Sequence, residues 1–321
     1  MENYIWDYHD PYEWLQRVRG SSFPPLMICC AITGGVQGKE ANANLPETPE
    51  EQVDQTYRAY EAGASMVHIH VRDPQKWWDG SGDVEQYHKV NSMIREACPD
   101  IIINNTTGGS LGMTTEQRLA CLDAKPEVAT LNMGPDMYKL RLKERKAPIP
   151  DPHPEMELEG VLPITYEELR TFAAGMKERG IKPEMEVYHP GQLWGVFELA
   201  EKGLVAAPYF VQFVMGYGNS PWATPRNLVN FAEQLPSDTI LEVAGVGPFQ
   251  LPMTTLAIIL GAHMVRVGME DNVYYSRGRL LESNAEAVER VARIANELNR
   301  EIATPAQARE MMGLSLTPSG Y

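Results

Sequence analysis

Short apolar runs alternate with longer amphipathic stretches eight times between Pro25 and Leu298, and this repetition restricts the folds open to the chain. The first unit reads "PLMICCAIT", ending at Thr33, followed by "TPEEQVDQTYRAYEAGA", a helix with Thr48 as N-cap and Pro49 in its first position. Later strands are "SMVHIHV", "DIIINN", "EVATLN", "KPEMEVY", "YFVQFVM", "TILEVA" and "HMVRVG". The helices between them are "VEQYHKVNSMIREA", "TTEQRLACLDA", "TYEELRTFAAGMKERG", "QLWGVFELAEKG", "TPRNLVNFAEQL" and "FQLPMTTLAIILG", and "SNAEAVERVARIANEL" ends the series. A Pro-rich, charged stretch over 133–163 predicts a long loop before helix four. Eight such units predict one closed α/β (β/α)8 TIM barrel, because an open doubly wound sheet usually has about five or six strands with a phosphate loop after the first.

The barrel is expected over 23–321. Residues 1–22, rich in Tyr and Trp, form an N-terminal extension expected to pack under the barrel or on a neighbouring subunit. At 43% hydrophobic and 22% charged residues, the composition is that of an ordinary globular protein and excludes disorder. No apolar run approaches a membrane span, and the acidic, aromatic start lacks signal-peptide features, so a cytoplasmic location is expected. A net charge of −15 argues against nucleic acid and acidic membranes as partners. The one basic run, "KLRLKERK" at 139–146, reads as a solvated face, with an anionic cofactor near a site mouth as its functional alternative. The four cysteines show no metal or disulfide spacing, and Cys29 and Cys30 read as small core residues.

In such a barrel, chemistry collects at the C-terminal ends of the strands. Strand alternation points His68 and His70 to one side and Val67, Ile69 and Val71 to the other, so two imidazoles converge. Glu270, just after strand eight, is the best third ligand, and two histidines with one carboxylate are a common set for catalytic zinc. Simple hydrogen-bonding histidines in the lumen are the structural alternative. Arg266 and Asp271 beside that set offer a fixed cation and a general base. Glu186, which shares a strand-five face with Glu184 and Tyr188, is a candidate partner for Arg266 or a catalytic water; Glu242 is a second possible partner for Arg266. Arg72 and Asp73 are expected to pair and orient the histidines. In "NNTTGGS", residues Thr106, Thr107, Gly108 and Gly109 can cradle an oxyanion, and Thr33 at the end of strand one joins them as a substrate-binding candidate. The "AGVGP" turn after strand seven lacks the third glycine and the first-strand position of a dinucleotide fingerprint, which argues against a nicotinamide site.

Taken in order, "VHIHVRD", "NNTTGG", "KPEMEVYHPG" and "VRVGMEDN" make the chain resemble the β-keto acid cleavage enzymes over roughly 26–298. The resemblance implies a zinc-dependent barrel, usually homo-oligomeric, that condenses a β-keto acid with acetyl-CoA to give acetoacetate and a new acyl-CoA. It carries the metal role to His68, His70 and Glu270, catalysis to Arg266 and Asp271, and the substrate carboxylate to Thr106 and Gly109. Members that take an amino-substituted keto acid place a carboxylate just after the strand-one turn. Here Val36 stands there, which argues against an ammonium-bearing substrate. Rival readings are an amidohydrolase-like zinc hydrolase, for which only His189 is a well-placed further histidine, a metal-dependent aldolase, and a non-catalytic binding barrel.

Overall fold

The computed structural model describes residues 4–110 and 112–321. Among them, eight parallel strands hydrogen-bond in a closed ring. These are β1 (Met27–Ala31), β2 (Met66–Ile69), β3 (Ile102–Asn105), β4 (Val128–Asn132), β5 (Lys182–Val187), β6 (Tyr209–Met215), β7 (Thr239–Gly245) and β8 (Met264–Val267), with β8 pairing back onto β1. The connecting helices are α1 (Pro49–Glu61), α2 (Val84–Ala97), α3 (Thr115–Leu119), α4 (Tyr166–Glu178), α5 (Leu193–Glu201), α6 (Pro225–Ala232), α7 (Gln250–Leu260) and α8 (Asn284–Glu297). Local chemistry sets their starts. Thr48 and Glu51 form a reciprocal capping box on α1, as Thr165 and Glu168 do on α4, each satisfying backbone N–H groups that the first helical turn leaves free.

Alternation divides each strand between two cores. Outward residues such as Ile28, Cys30, Val67 and Val265 pack beneath the helices, and inward ones fill the lumen. At its base Met27, Cys29, Met66, Ile102, Val128, Phe210, Ile240 and Met264 form an apolar floor, sealed by Met311 and Met312 of a C-terminal helix, Pro305–Met312. Sequence periodicity had not suggested that helix. The next layer up is polar: Asn104 donates to Glu184 at 2.7 Å, and Gln212 donates to Glu184 at 3.0 Å and to Glu242 at 2.8 Å. Burial pushes both carboxyls upward, Glu184 furthest because Glu242 lies beside it.

Two expectations need correction. The stretch over 133–163 is not a simple loop, since Asp136–Leu142 and Met156–Leu162 pair as an antiparallel hairpin whose alternating residues satisfy the ladder. Helix three is α-helical only over Thr115–Leu119 and tightens to a 3-10 turn over Ala120–Ala124. The long hairpin is pinned near its far end by Arg145, which pairs with Glu47 at 2.7 and 2.9 Å and with Glu40 at 2.7 Å, all three side chains being buried. Shorter hairpins follow β2 (Arg72–Asp73 with Lys76–Gly80) and β8 (Tyr274–Ser276 with Arg279–Leu280), so all three stand at the C-terminal mouth.

Residues 4–8 lie against the opposite end. Trp6 Nε1 donates to the Gly261 carbonyl at 3.1 Å, and Tyr8 meets His263 Nδ1 at 2.6 Å while His263 Nε2 meets the Tyr4 carbonyl at 3.0 Å. A neutral imidazole protonated on Nε2 satisfies both contacts, donating to Tyr4 and accepting from Tyr8. Burial pushes that imidazole down to about 3.

Two outcomes follow. Because the folded pKa of His263 lies below that of free imidazole, the unfolded chain binds the proton first. Stability is therefore untouched above about pH 6.5 and erodes as pH falls towards the folded value, by about 2 kcal/mol between pH 7 and 5. Thermal melts should show a smaller drop in Tm over that interval for His263→Gln than for the wild type. Arg145→Met leaves two carboxylates buried without a counter-ion and should cost about 3–5 kcal/mol, read from the urea midpoint.

Candidate active site

At the mouth, the strand register gathers titratable groups. His68 stands opposite Ala31 and Asn104 on its neighbours, Glu186 opposite Asn132 and Gln212, and Arg266 opposite Cys29 and Ala244. β2 ends at Ile69, yet His70 keeps its alternation, and the two imidazole centroids lie 5.1 Å apart. Glu270 meets both: its Oε1 lies 3.2 Å from His70 Nε2 and its Oε2 3.5 Å from His68 Nε2. Those separations fit the edges of a tetrahedron of ligands at zinc distances, about 3.4 Å. The rest of the donor set also fits a divalent cation. Glu270 Oε2 is buried without a hydrogen-bond partner, and burial drives His68 well below its ordinary value, keeping it neutral and able to ligate.

Close backbone approaches hold Glu270 in place. Its N–H donates to the Ala31 carbonyl at 3.1 Å. A Cβ on Gly34 would come within 2.9 Å of Glu270 Cγ, so the loop after β1 can lie against the carboxylate only with glycine there. Gly268, at φ +132°, turns the chain out of β8 where a Cβ would collide with the Ala31 carbonyl.

Arg266 is the hub. Its guanidinium donates to Asp271 through Nε at 2.9 Å and Nη2 at 3.1 Å, lies 2.9 Å from Glu270 Oε1, and reaches Glu186 Oε1 at 3.5 Å. Glu242 is not its partner but belongs to the layer below. Burial opposes the charge on Arg266, yet its three carboxylate neighbours hold it well above its ordinary range. Against its own burial, Glu270 is held below the usual carboxylate range by Arg266 and the imidazoles. Burial pushes Asp271 up, with Arg266 opposing, and pushes Glu186 up to about 8, again against Arg266. Glu186 also accepts from Asn132 at 2.5 Å and from Tyr188 at 3.2 Å.

Other expectations fare differently. Arg72 does not pair with Asp73. It binds the Thr33 hydroxyl and the Gln37 carbonyl at 2.7 Å, while Asp73 caps Gln75 at 2.8 Å, because the hairpin after β2 turns the two side chains apart. Neither reaches a histidine Nδ1. The Thr33 hydroxyl is thus engaged by Arg72. Thr107 is tied to β4, its N–H and hydroxyl both bonded to Thr130, at 2.9 and 2.7 Å. Thr106 accepts from the Gly108 N–H at 2.9 Å, and Gly109 turns at φ +64°, so these three form a tight bend beside the site. The basic run lies largely on the long hairpin, where Lys139 and Arg141 pair with Glu157 and Glu155. His189 is exposed and accepts from the Gly191 N–H. One group escaped sequence reading. Asp136, at the root of the long hairpin, is buried with Oδ1 unpartnered, and burial pushes it up to about 6. The Tyr217 phenol is raised chiefly by burial, and its ring lies 6.0 Å from that of Tyr188, which donates to Glu186. Asp136 sits two residues past a glycine after a strand, and nothing in its spacing marks it.

The fold and the mouth define a class: a TIM barrel whose titratable side chains gather at the C-terminal strand ends, where barrel enzymes carry their active sites. Residues 25–314 match the beta-keto acid cleavage enzyme family, and the chain belongs to that family. It is 39% identical over 292 residues to a protein named 3-keto-5-aminohexanoate cleavage enzyme in Acetoanaerobium sticklandii, covering 90% of this chain and 98% of that one. It is 33% identical over 301 residues to a 3,5-dioxohexanoate:acetyl-CoA acetone transferase of Paraburkholderia graminis, covering 90% and 96%. The solved apo structure of ObcA superposes with a TM-score of 0.68 at 20% identity, covering 84% of this chain and 66% of that one. This chain thus spans just under two thirds of the ObcA chain, and the likeness shows the fold alone.

Elemental analysis of purified protein should find a bound divalent metal that His68→Ala and Glu270→Gln each lose while far-UV circular dichroism stays that of the wild type.

Proposed function

We propose that the protein is a zinc-dependent β-keto acid cleavage enzyme that condenses a β-keto acid with acetyl-CoA and releases acetoacetate and a new acyl-CoA. One observation carries the reading: a carboxylate, Asp271, is held in a bidentate grip by Arg266 immediately beside the ligand set of His68, His70 and Glu270. The acetyl-CoA transferase names of relatives such as that of Paraburkholderia graminis support it. His68, His70 and Glu270 would hold the zinc, which when bound would supply Lewis-acid polarisation of the keto acid's ketone and so lower the cost of removing a proton from the neighbouring carbon.

Asp271 takes that proton. Arg266 occupies one lone pair on each of its oxygens and leaves others open. The resulting carbanion attacks the thioester carbonyl of acetyl-CoA, forming a carbon–carbon bond. The CoA sulfur then moves to the former ketone carbon, and the bond between that carbon and the old α-carbon breaks. The electron pair leaves on the acetoacetate carbon, and Asp271 returns the proton to it. Atoms balance: the keto acid's acyl group departs as acyl-CoA, and the acetyl group, its bond to sulfur broken and now joined to the old α-carbon and carboxylate, departs as acetoacetate. Arg266 keeps Asp271 oriented and offsets negative charge through the sequence, and Glu186 steadies Arg266 from the far side. Thr106 and Gly109 at the bend after β3 hold the substrate carboxylate.

Val36 offers no carboxylate to an ammonium group, which favours a keto acid without one. The unpartnered Oδ1 of Asp136, with the relative from Acetoanaerobium named for an amino-substituted acid, favours a second reading in which Asp136 is the counter-ion.

Metal-loaded enzyme incubated with acetyl-CoA and a panel of neutral and amino-bearing β-keto acids should yield acetoacetate from at least one. No product from any overturns the reaction, and the better tail decides between the two substrates. Asp271→Asn should lower kcat by about 10²–10⁴-fold with bound metal retained. Wild-type turnover in that variant would remove Asp271 as the base.

A further inference from the structure

A cavity of about 720 Å³ opens beside the site, between α7, α8 and the hairpin that follows β8. Its size suits a cofactor-sized ligand. The inner end is lined by Asp271 and by Gln37, whose amide donates to the Glu270 carbonyl at 3.4 Å. The walls are mainly apolar, with Pro248 and Leu251 on one side and Val291 on the other.

The outer rim has the opposite character. Arg277 and Arg290 line it, and Lys143 reaches across from the long hairpin to the Tyr274 hydroxyl at 3.3 Å. Arg290 stacks 4.2 Å over the Tyr275 ring and bonds to the Tyr275 carbonyl. Among the described residues, none of these three cations has a carboxylate partner, whereas their neighbour Arg279 is neutralised by Glu282 and Glu286. In a chain with 43 acidic and 28 basic residues, three such cations around one opening mark a place for an external anion.

An apolar neck ending at a catalytic carboxylate, with a cationic rim, matches a long neutral arm that bears a reactive end and a polyphosphate head. We infer that this cavity is the coenzyme A subsite. The pantetheine arm passes between Leu251 and Val291 and brings the thioester to Asp271, while Arg277, Arg290 and Lys143 hold the phosphates. The inference rests on the acyl-transfer reading above, but adds where the co-substrate enters and which residues select it.

The test compares acetyl-CoA with S-acetylpantetheine, which has the arm and thioester without the nucleotide phosphates, as acyl donors for wild type, Arg277→Glu, Arg290→Glu and the double variant. The ratio of kcat/KM for acetyl-CoA to that for acetylpantetheine should fall about tenfold per reversed charge, the loss expected for a charge-assisted contact. Added salt should depress the wild-type ratio and leave that of the double variant nearly flat. Leu251→Trp, which narrows the neck, should lower kcat/KM for both donors while KM for the keto acid holds. An unchanged ratio in the double variant overturns the subsite. Calorimetry with free CoA separates this from a failure of the reaction itself: CoA binding to wild type that weakens in the double variant supports the subsite even without acetoacetate formation, and equal binding overturns it.

Discussion

One guanidinium, Arg266, organises the mouth of this barrel. It sits among Asp271 and Glu186, both buried, and the mostly buried Glu270, where isolated charges would each carry a desolvation cost of several kcal/mol. The cluster is tolerable because each carboxylate is held by more than one contact. Glu270 faces two imidazoles, Glu186 accepts from Asn132 and Tyr188, and Asp271 takes two parallel bonds from the fork of Arg266 itself. A lysine would offer a point charge where three partners require a planar array of donors.

The arrangement depends on barrel closure. Arg266 lies on β8 with Glu270 and Asp271 in the turn that follows it, whereas His68 lies on β2 and His70 just past its end, and only the pairing of β8 with β1 and of β1 with β2 brings them together. A one-residue slip of β2 against β1 would turn His68 and His70 out towards the helices, and one of β8 against β1 would do the same to Arg266. The layering beneath serves the same end. An apolar floor sealed by the C-terminal helix carries a hydrogen-bonded layer of Asn104, Glu184, Gln212 and Glu242, and the titratable groups of the mouth stand on that support. Function built on strand ends and not on long loops holds its geometry closely.

Much of this was legible beforehand because strands and helices write their periods directly into the chain. Helix two was read with the bounds that the structure shows, Val84–Ala97, and β6 likewise as Tyr209–Met215, since capping residues and apolar runs mark both ends. The convergence of His68 with His70 followed from period-two alternation alone. Contacts made across the fold were harder. The pairing proposed for Arg72 and Asp73 assumed that neighbours in sequence interact, but a hairpin separates them and sends Arg72 to Thr33 and Gln37. The hairpin over 136–162 hid behind prolines and charges that usually mark a loop, and its ladder alternates polar with apolar residues too weakly for the pattern to stand out. Asp136 was invisible for the same reason: its meaning lies in what surrounds it.

Local rules therefore determined the barrel, the order of its strands and the identities of the converging histidines, because hydrophobic periodicity and capping act between residues a few positions apart. Tertiary structure alone decided that Arg266 grips Asp271 and Glu270 in place of Glu242, that Thr107 serves β4, and that three cations without a carboxylate partner among the described residues ring one cavity. Those outcomes depend on strand register, on burial, and on which side chains meet after some two hundred intervening residues have folded between them, and no local pattern encodes those distances.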